Sequence, residues 1–294
     1  MDEKRFGNIV FIPGLNKARY PYCNSLFIDD EVKAVIDPAS NPDLLLSIKK
    51  TSGIDVIINS HYHEDHFAFN YLFPDSALWV PELEAPCFKS IQSLFEYWGA
   101  VGPSLENEFQ AYLQSFHYEE RVIAREFRDG DVLEFGKTKL EVISTPGHTP
   151  GHSCFYCPEQ KLLFTADLDM TSFGPWYGDK YSDLLQTIQS VHKLLAIPAE
   201  VYITSHDRGI IDGSIKETAE AYLAKITERE NRVLNFLEKE HSIPEMVSRW
   251  LIYKRPLEPQ HLFIFAEEKM LRSHLAYSMQ KGQIKQVGDK YVAV

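Results

Sequence analysis

Four segments of this chain share one pattern: a short apolar, β-rich run that ends directly on a residue able to bind a metal. Val56–Asn59 leads into Ser60-His61-Tyr62-His63-Glu64-Asp65-His66, and Leu140–Ser144 leads into Thr145-Pro146-Gly147-His148-Thr149-Pro150-Gly151-His152. Leu163-Phe164-Thr165-Ala166 ends on Asp167, and Val201–Ser205 ends on His206. Ends of separate strands can converge on one rim of a sheet, where catalytic groups commonly sit. The β-runs at Val32–Asp37, Ile54–Asn59, Leu140–Ser144, Leu162–Ala166 and Val201–Ser205 alternate with helix-like or loop segments such as Pro42–Thr51 and Ser182–Ala196. That alternation predicts a layered α/β architecture up to about Ser205.

The first cluster places three imidazoles and two carboxylates within six residues. Imidazole nitrogen and carboxylate oxygen suit zinc, and they also suit iron and manganese. One histidine alone would read as a buried structural residue, but three beside an aspartate at a strand exit read as a metal site. Ser205-His206-Asp207 is not a nucleophilic triad, because triad members meet in space rather than as chain neighbours.

The 294 residues suffice for one large domain or two unequal ones, and no internal repeat points to a solenoid. A net charge of −12 repels phosphate backbones and argues against nucleic acid wrapped by the whole molecule, while a local basic patch stays open. From His241 to Val294 there are eight Lys or Arg against five Asp or Glu, a weak footprint for nucleic acid. The four cysteines, Cys23, Cys87, Cys154 and Cys157, are too few for a disulfide framework. Cys154 and Cys157 form a CxxC between two β-runs without a second CxxC, and they read as ordinary buried or half-buried thiols. The N-terminal stretch MDEKRFGNIVFIPGLNKARY has no signal-like apolar run, and no segment reaches the roughly 20 apolar residues of a membrane span. The expectation is a cytoplasmic protein with no membrane contact.

Residues 81–127 interrupt the alternation. They are rich in aromatics, and Leu83, Cys87, Ile91, Leu94, Phe95 and Trp98 fit one helical stripe, with a second amphipathic helix after Gly99, Gly102 and Pro103. This insertion reads equally as a helical pair packed on the core and as a lid or homodimer surface. After Lys216, Ala219, Tyr222, Leu223, Ile226, Val233, Leu234 and Leu237 mark a long amphipathic helix. Ser242 and Glu245 resemble a capping box, a helix runs from about Gln260 to Gln280, and QIKQV-GD-KYVAV reads as a hairpin. The expected division is 1–214 for the metal-bearing domain and 215–294 for a winged-helix-like module.

The motif HYHEDH resembles the HxHxDH signature of the metallo-β-lactamase superfamily. TPGHTPGH, the aspartate of FTAD and the histidine of ITSH match that family's later ligand motifs in order, over about residues 8–214. The resemblance implies a four-layer αββα sandwich with metals at one edge of two sheets. The tail is similar in pattern to the winged-helix tail of the glyoxalase II-like/β-lactamase-like protein 2 branch. Position by position, the resemblance puts His61, His63 and His148 on one metal and Asp65, His66 and His206 on another, with Asp167 bridging both. His152 falls at a position that is structural or supports a ligand. The chain departs from many relatives in following Asp65-His66 with Phe67-Ala68-Phe69-Asn70 instead of glycines, which makes the loop entry bulkier.

The resemblance implies two divalent metals, zinc first with iron or manganese as alternatives, and an attacking hydroxide held by them and oriented by Asp65. It makes the chain a dinuclear metal-dependent hydrolase. Phe173, Trp176 and Tyr177, after Asp167, are expected to line a substrate pocket, and Phe88, Phe95 and Trp98 to stand as apolar walls near the metal edge. The first functional reading is hydrolysis of a small thioester, ester or lactone. Its alternatives are a metal-dependent endoribonuclease or phosphodiesterase, favoured only by the tail, and a single-iron sulfur dioxygenase. Classical β-lactamase activity is disfavoured, since zinc β-lactamases commonly carry a cysteine where this chain has Asp167.

Overall fold

A computed structural model describes residues 4–294; Met1, Asp2 and Glu3 of the N-terminal stretch read above lie outside it. The first sheet orders its strands along the chain. They are β1 (Arg5–Phe6), β2 (Ile9–Ile12), β3 (Ser25–Asp29), β4 (Lys33–Ile36), β5 (Val56–Ile58), β6 (Ala77–Pro81) and β7 (Ile123–Phe127). Pairing is antiparallel from β1 to β4 and parallel from β4 to β7. The second sheet holds β8 (Val132–Glu134), β9 (Lys139–Ser144), β10 (Ser153–Cys157), β11 (Leu162–Ala166), β12 (Val201–Thr204) and β13 (Ile210–Asp212). There β11 and β12 run parallel, and the other neighbours pair antiparallel.

Residue alternation explains the layering, because successive strand side chains point to opposite faces. Leu26 and Ile28, Ala34 and Ile36, and Val56 and Ile58 meet Leu140, Val142, Phe155, Leu162, Phe164 and Ile203 in the core between the sheets. The residues between them face outward to helices. Phe27, Val35 and Ile57 pack with α1 (Pro42–Ser52) and the inserted helices α2 (Ala85–Lys89), α3 (Ile91–Trp98) and α4 (Pro103–Gln114). Cys154, Leu163 and Tyr202 pack with α5 (Leu184–Leu195) and α6 (Lys216–Phe236). The result is the four-layer αββα sandwich expected from the sequence. Local signals set the helix starts: Asn41 accepts hydrogen bonds from the Asp43 and Leu44 N–H ahead of Pro42, and Asp183 accepts from Gln186 N–H.

The insertion differs from the single stripe expected over residues 83–98. Ser90 is extended (φ −155°), so α2 and α3 are separate helices, and Leu83 lies exposed in a preceding turn. The last five residues of 81–127 are strand β7 rather than helix. Phe88, Phe95 and Trp98 are buried in the core under the first sheet and wall no site.

Beyond α6 come β14 (His241–Ser242), α7 (Ile243–Val247), α8 (Gln260–Gln280), β15 (Ile284–Val287) and β16 (Lys290–Ala293), with sheet order β14-β16-β15. The Ser242–Glu245 capping box forms as read. This region shares its core with the sandwich: Tyr177 and Leu184 pack among Ile226, Val233, Met246, Leu251, Met270, Leu271 and Leu275. Among the described residues no helix is long and apolar enough to cross a membrane.

Candidate metal centre

The ligand-type residues leave the two sheets at one edge. The chain exits β5 through Asn59 and Ser60 and enters a one-turn helix at Glu64–Phe67, which turns His61, His63, Asp65 and His66 inward. His148 lies on the turn after β9, Asp167 directly follows β11, and His206 follows β12 by two residues. These seven residues form two groups, His61, His63, His148 and Asp167 in one and Asp65, His66 and His206 in the other. Within each group the ligand atoms lie within 4.8 Å of one another. Asp167 stands between them. Its Oδ2 is 3.3 Å from His148 Nε2 and 3.9 Å from His61 Nε2, and its Oδ1 is 2.9 Å from His66 Nε2 and 3.3 Å from His206 Nε2.

Each imidazole is held from behind by one nitrogen, which leaves the other directed inward. His63 Nε2 donates to Asp179 Oδ2 at 2.7 Å, and His66 Nδ1 donates to Asp37 Oδ2 at 2.9 Å. His148 Nδ1 donates to the Trp176 carbonyl at 3.0 Å, and His206 Nδ1 to the carbonyls of Ala18 and Tyr22 at 2.9 and 3.1 Å. Ser60 Oγ gives its own proton to Asp37 Oδ2, so it accepts from His61 Nδ1 at 2.9 Å. Outer partners of this kind fix ring orientation and tautomer at metal sites. Inside, His148 Nε2 lies 2.9 Å from His63 Nδ1 and 3.3 Å from His61 Nε2. His66 Nε2 and Asp167 Oδ1 are buried without a hydrogen-bond partner of suitable geometry despite their proximity. Converging nitrogens and an orphaned buried acceptor are what a cation satisfies, and nothing else among the described residues does so. The donor set, five imidazoles and two carboxylates, fits divalent metal.

Electrostatics agree. Burial opposes charge on His63, but Asp179, helped by Glu64 and Asp65, lifts it to about 9. Burial is likewise overcome at His66 by Asp167 and Asp37, and at His206 by Asp167 and Asp65, which lift His206 to about 10. Burial, reinforced by His63, pushes His148 down to about 4. Burial would raise Asp167, but His66 and His206 hold it well below the usual carboxylate range. Without a metal the carboxylates therefore draw protons onto ligand imidazoles, and metal binding displaces those protons.

Two carboxylates complete the frame. Glu84 accepts from Tyr62 N–H, Thr149 Oγ1 and Gly151 N–H, tying the His61–His66 loop to the TPGH turn. Glu64, beside the ligands, accepts from the hydroxyls of Tyr20 and Tyr112. His152 is no member of either group: its Nε2 accepts from Asp167 N–H at 3.1 Å and its Nδ1 meets Thr145 Oγ1 at 2.8 Å. All four cysteines are buried and unpaired. Of the expected pocket residues, Trp176 lies against the centre, its ring 5.2 Å from that of His63 and 5.6 Å from that of His148. Phe173 is 38% exposed and tilted against Tyr253. Tyr177 departs from the expectation. It has no exposed surface, and its hydroxyl bonds His274 and Arg229, so it belongs to the core shared with the tail.

The profile of the metallo-beta-lactamase superfamily matches residues 19–206. The chain belongs to this superfamily. It is a metal-dependent hydrolase, and two groups of its residues could hold divalent metals. A hydroxyacylglutathione hydrolase of Mesorhizobium japonicum is 27% identical over 203 residues, 68% of this chain and 67% of that protein. A second protein of that name, from Rhizobium meliloti, is 36% identical over 113 residues, 38% of this chain and 40% of its own length. In fold, the chain is similar to a metallo-beta-lactamase family protein of Thermus thermophilus, with a TM-score of 0.75 and 21% identity. That match covers 98% of this chain and 99% of that one, the tail included. A beta-lactamase domain protein of Burkholderia ambifaria gives a TM-score of 0.72 at 17% identity, over 98% of this chain and 91% of the other.

Proposed function

We propose that this protein hydrolyses a small thioester, ester or lactone at a dinuclear centre, with zinc as its first-choice metal. The observation that carries the proposal is Asp167 facing both ligand groups, one oxygen to each. The hydroxyacylglutathione hydrolases among its relatives support a thioester. In this assignment His61, His63 and His148 would hold the first metal and Asp65, His66 and His206 the second, with Asp167 able to serve both. When bound, such a metal pair acidifies water and polarises a carbonyl oxygen. Asp65, whose Oδ2 is 3.4 Å from His206 Nε2, would accept a hydrogen bond from the attacking water and orient it toward the carbonyl. Trp176 supplies an apolar wall beside His63 and His148, and Phe173 an outer rim.

We place the domain boundary after Ser214, between β13 and α6, and read residues 215–294 as a winged-helix-like module that serves the sandwich. A cytoplasmic setting suits four unpaired thiols. The net charge of −12 disfavours RNA as substrate.

The test is a paired assay at roughly 150 mM salt, in which the metal-loaded enzyme meets a panel of thioesters, aryl esters and lactones beside a labelled single-stranded RNA. Acyl turnover that is lost in His61→Ala, with no RNA cleavage, is the expected result. RNA cleavage that vanishes in His61→Ala, without acyl turnover, overturns the proposal in favour of a nuclease. Elemental analysis of protein purified without added metal separates two zincs from the single iron of an oxygenase.

A further inference from the structure

The two ligand groups are braced largely from different parts of the chain. Behind the second group stand Asp37, just past β4, which also reaches His61 of the first group through Ser60, and the carbonyls of Ala18 and Tyr22, all in the N-terminal half. Behind the first group stands the turn 171–179, which carries both the Trp176 carbonyl that holds His148 and the Asp179 carboxylate that holds His63. That turn is itself fastened to α6 of the tail. Arg229 is 2% exposed, and its guanidinium donates to the carbonyls of Phe173 and Pro175 at 2.6 Å each and to the Tyr177 hydroxyl at 3.1 Å. It lies 4.4 Å from the Phe173 ring centroid and 5.5 Å from that of Tyr177. The three groups it grips flank Trp176 on both sides. Gly174 lets the turn come this close, since a Cβ there (φ +85°) would stand 2.4 Å from Lys225 Cβ on the same helix. Earlier on that helix, Tyr222 donates to the Asp167 carbonyl at 3.2 Å. From the tail's loop, the Tyr253 hydroxyl accepts from Trp176 Nε1 at 3.0 Å.

We propose that Arg229 is a positioning residue for the first metal group: through the 173–177 turn it sets the Trp176 carbonyl that orients His148, and with it the ring packed on His63. The inference rests on the ligand assignment under Proposed function. A buried guanidinium offers several donors in a fixed fork, so it can pin successive carbonyls of one turn where a single-point cation could not. Among the described residues no comparable link joins α6 to Asp37, Ala18 or Tyr22, and Tyr222 meets Asp167, which faces both groups, so it is the Arg229 brace that is one-sided.

One-sidedness makes the role separable from general stability. In His206→Ala the first group is intact and the second incomplete; in His148→Ala the reverse holds. Zn2+ is titrated calorimetrically into metal-stripped protein of each background, with and without Arg229→Met, and the melting temperature of each protein is recorded. In the His206→Ala background, Arg229→Met is expected to weaken Zn2+ binding roughly 10- to 100-fold, the usual cost of losing a ligand's outer support. In the His148→Ala background the affinity is expected to stay within about 2-fold, less than that support is worth. Arg229→Lys, carried through the same titrations, should fall between wild type and Met, and it serves alone if Arg229→Met does not fold. Equal weakening in both backgrounds, or none in either, overturns the positioning role and leaves Arg229 a residue of the fold. Failure of the parent backgrounds themselves to bind Zn2+ overturns the ligand assignment instead.

Discussion

Asp167 and Asp179 do different work at the same edge, and substitution separates them. Asp167 offers one oxygen to each group, so Asp167→Ala should lose both metals and activity together; a full metal complement on elemental analysis would refute the bridge. Asp179 acts through His63. In metal-free protein the folded-state value of about 9 lies above the ordinary 6.5 of histidine, so the Asp179–His63 pair stabilises the fold fully below about pH 6.5. That contribution fades as pH rises through about 9. Chelated protein should therefore melt progressively lower across this window, and Asp179→Asn should flatten the trend while weakening Zn2+ binding. A melting temperature equally pH-dependent in both proteins counts against the pair. That these seven residues gather at one edge was legible in the sequence, because each follows an apolar β-run within a recognisable motif. Asp37, Asp179 and Glu84 were not, since Asp37 and Asp179 reach His66 and His63, and Glu84 the loops that carry them, across long chain separations. Asp37 alone left a signal: it too directly follows a β-run, β4. Aromatic content misled for the opposite reason, because residue type does not distinguish a wall from a core, and Tyr177, Phe88, Phe95 and Trp98 are core.

Turns, more than strands, set the precision of the edge. The TPGH turn is pressed onto α5: Gly147 has φ +126°, and a Cβ there would stand 2.2 Å from Thr187 N in the helix backbone. Asp183 N–H, at the cap of α5, donates to the Gly147 carbonyl at 2.8 Å, and Ser182 Oγ donates to the His148 carbonyl at 2.7 Å. Gly147→Ala meets both the backbone strain and the clash, so it should cost on the order of 3 kcal/mol in denaturant unfolding and displace His148. A variant with an unchanged unfolding midpoint and full metal would show that the turn yields freely. At this scale β4, β5, β9, β11 and β12 were legible because each is a short β-rich run, as Ala34, Val35 and Ile36 are in β4, whereas β3, with Leu26 and Ile28 inward and Phe27 outward, was not read. The break at Ser90 was not, because the apolar residues on either side of it continue a helical spacing that the extended backbone at that one position interrupts.

For the whole molecule, the question is what the tail contributes to a sandwich that already carries all seven proposed ligands. Removing residues after Ser214 would uncover Tyr177 and Leu184, which pack among Ile226, Val233 and Met270. It would also uncover Cys154, Leu163, Val191, Leu194 and Tyr202, which pack on Ile215, Ala219 and Tyr222. Cys154, Leu163 and Tyr202 lie on the second sheet and Leu184, Val191 and Leu194 on α5, and apolar surface of that kind drives association when bared to water. The cut would also remove Arg229, Tyr253 and the Tyr222 hydroxyl, hence the outer support of the turn that holds His148 and His63. Asp37, Ala18 and Tyr22, behind the second group, would remain. A chain ending at Ser214 should therefore aggregate or melt well below the full chain, as size-exclusion chromatography and thermal unfolding would record. Its soluble fraction should bind the second metal more tightly than the first. A monodisperse truncated protein that melts with the full chain and takes up two metals of undiminished affinity would show that the sandwich is self-sufficient and that the tail serves something other than the metal edge.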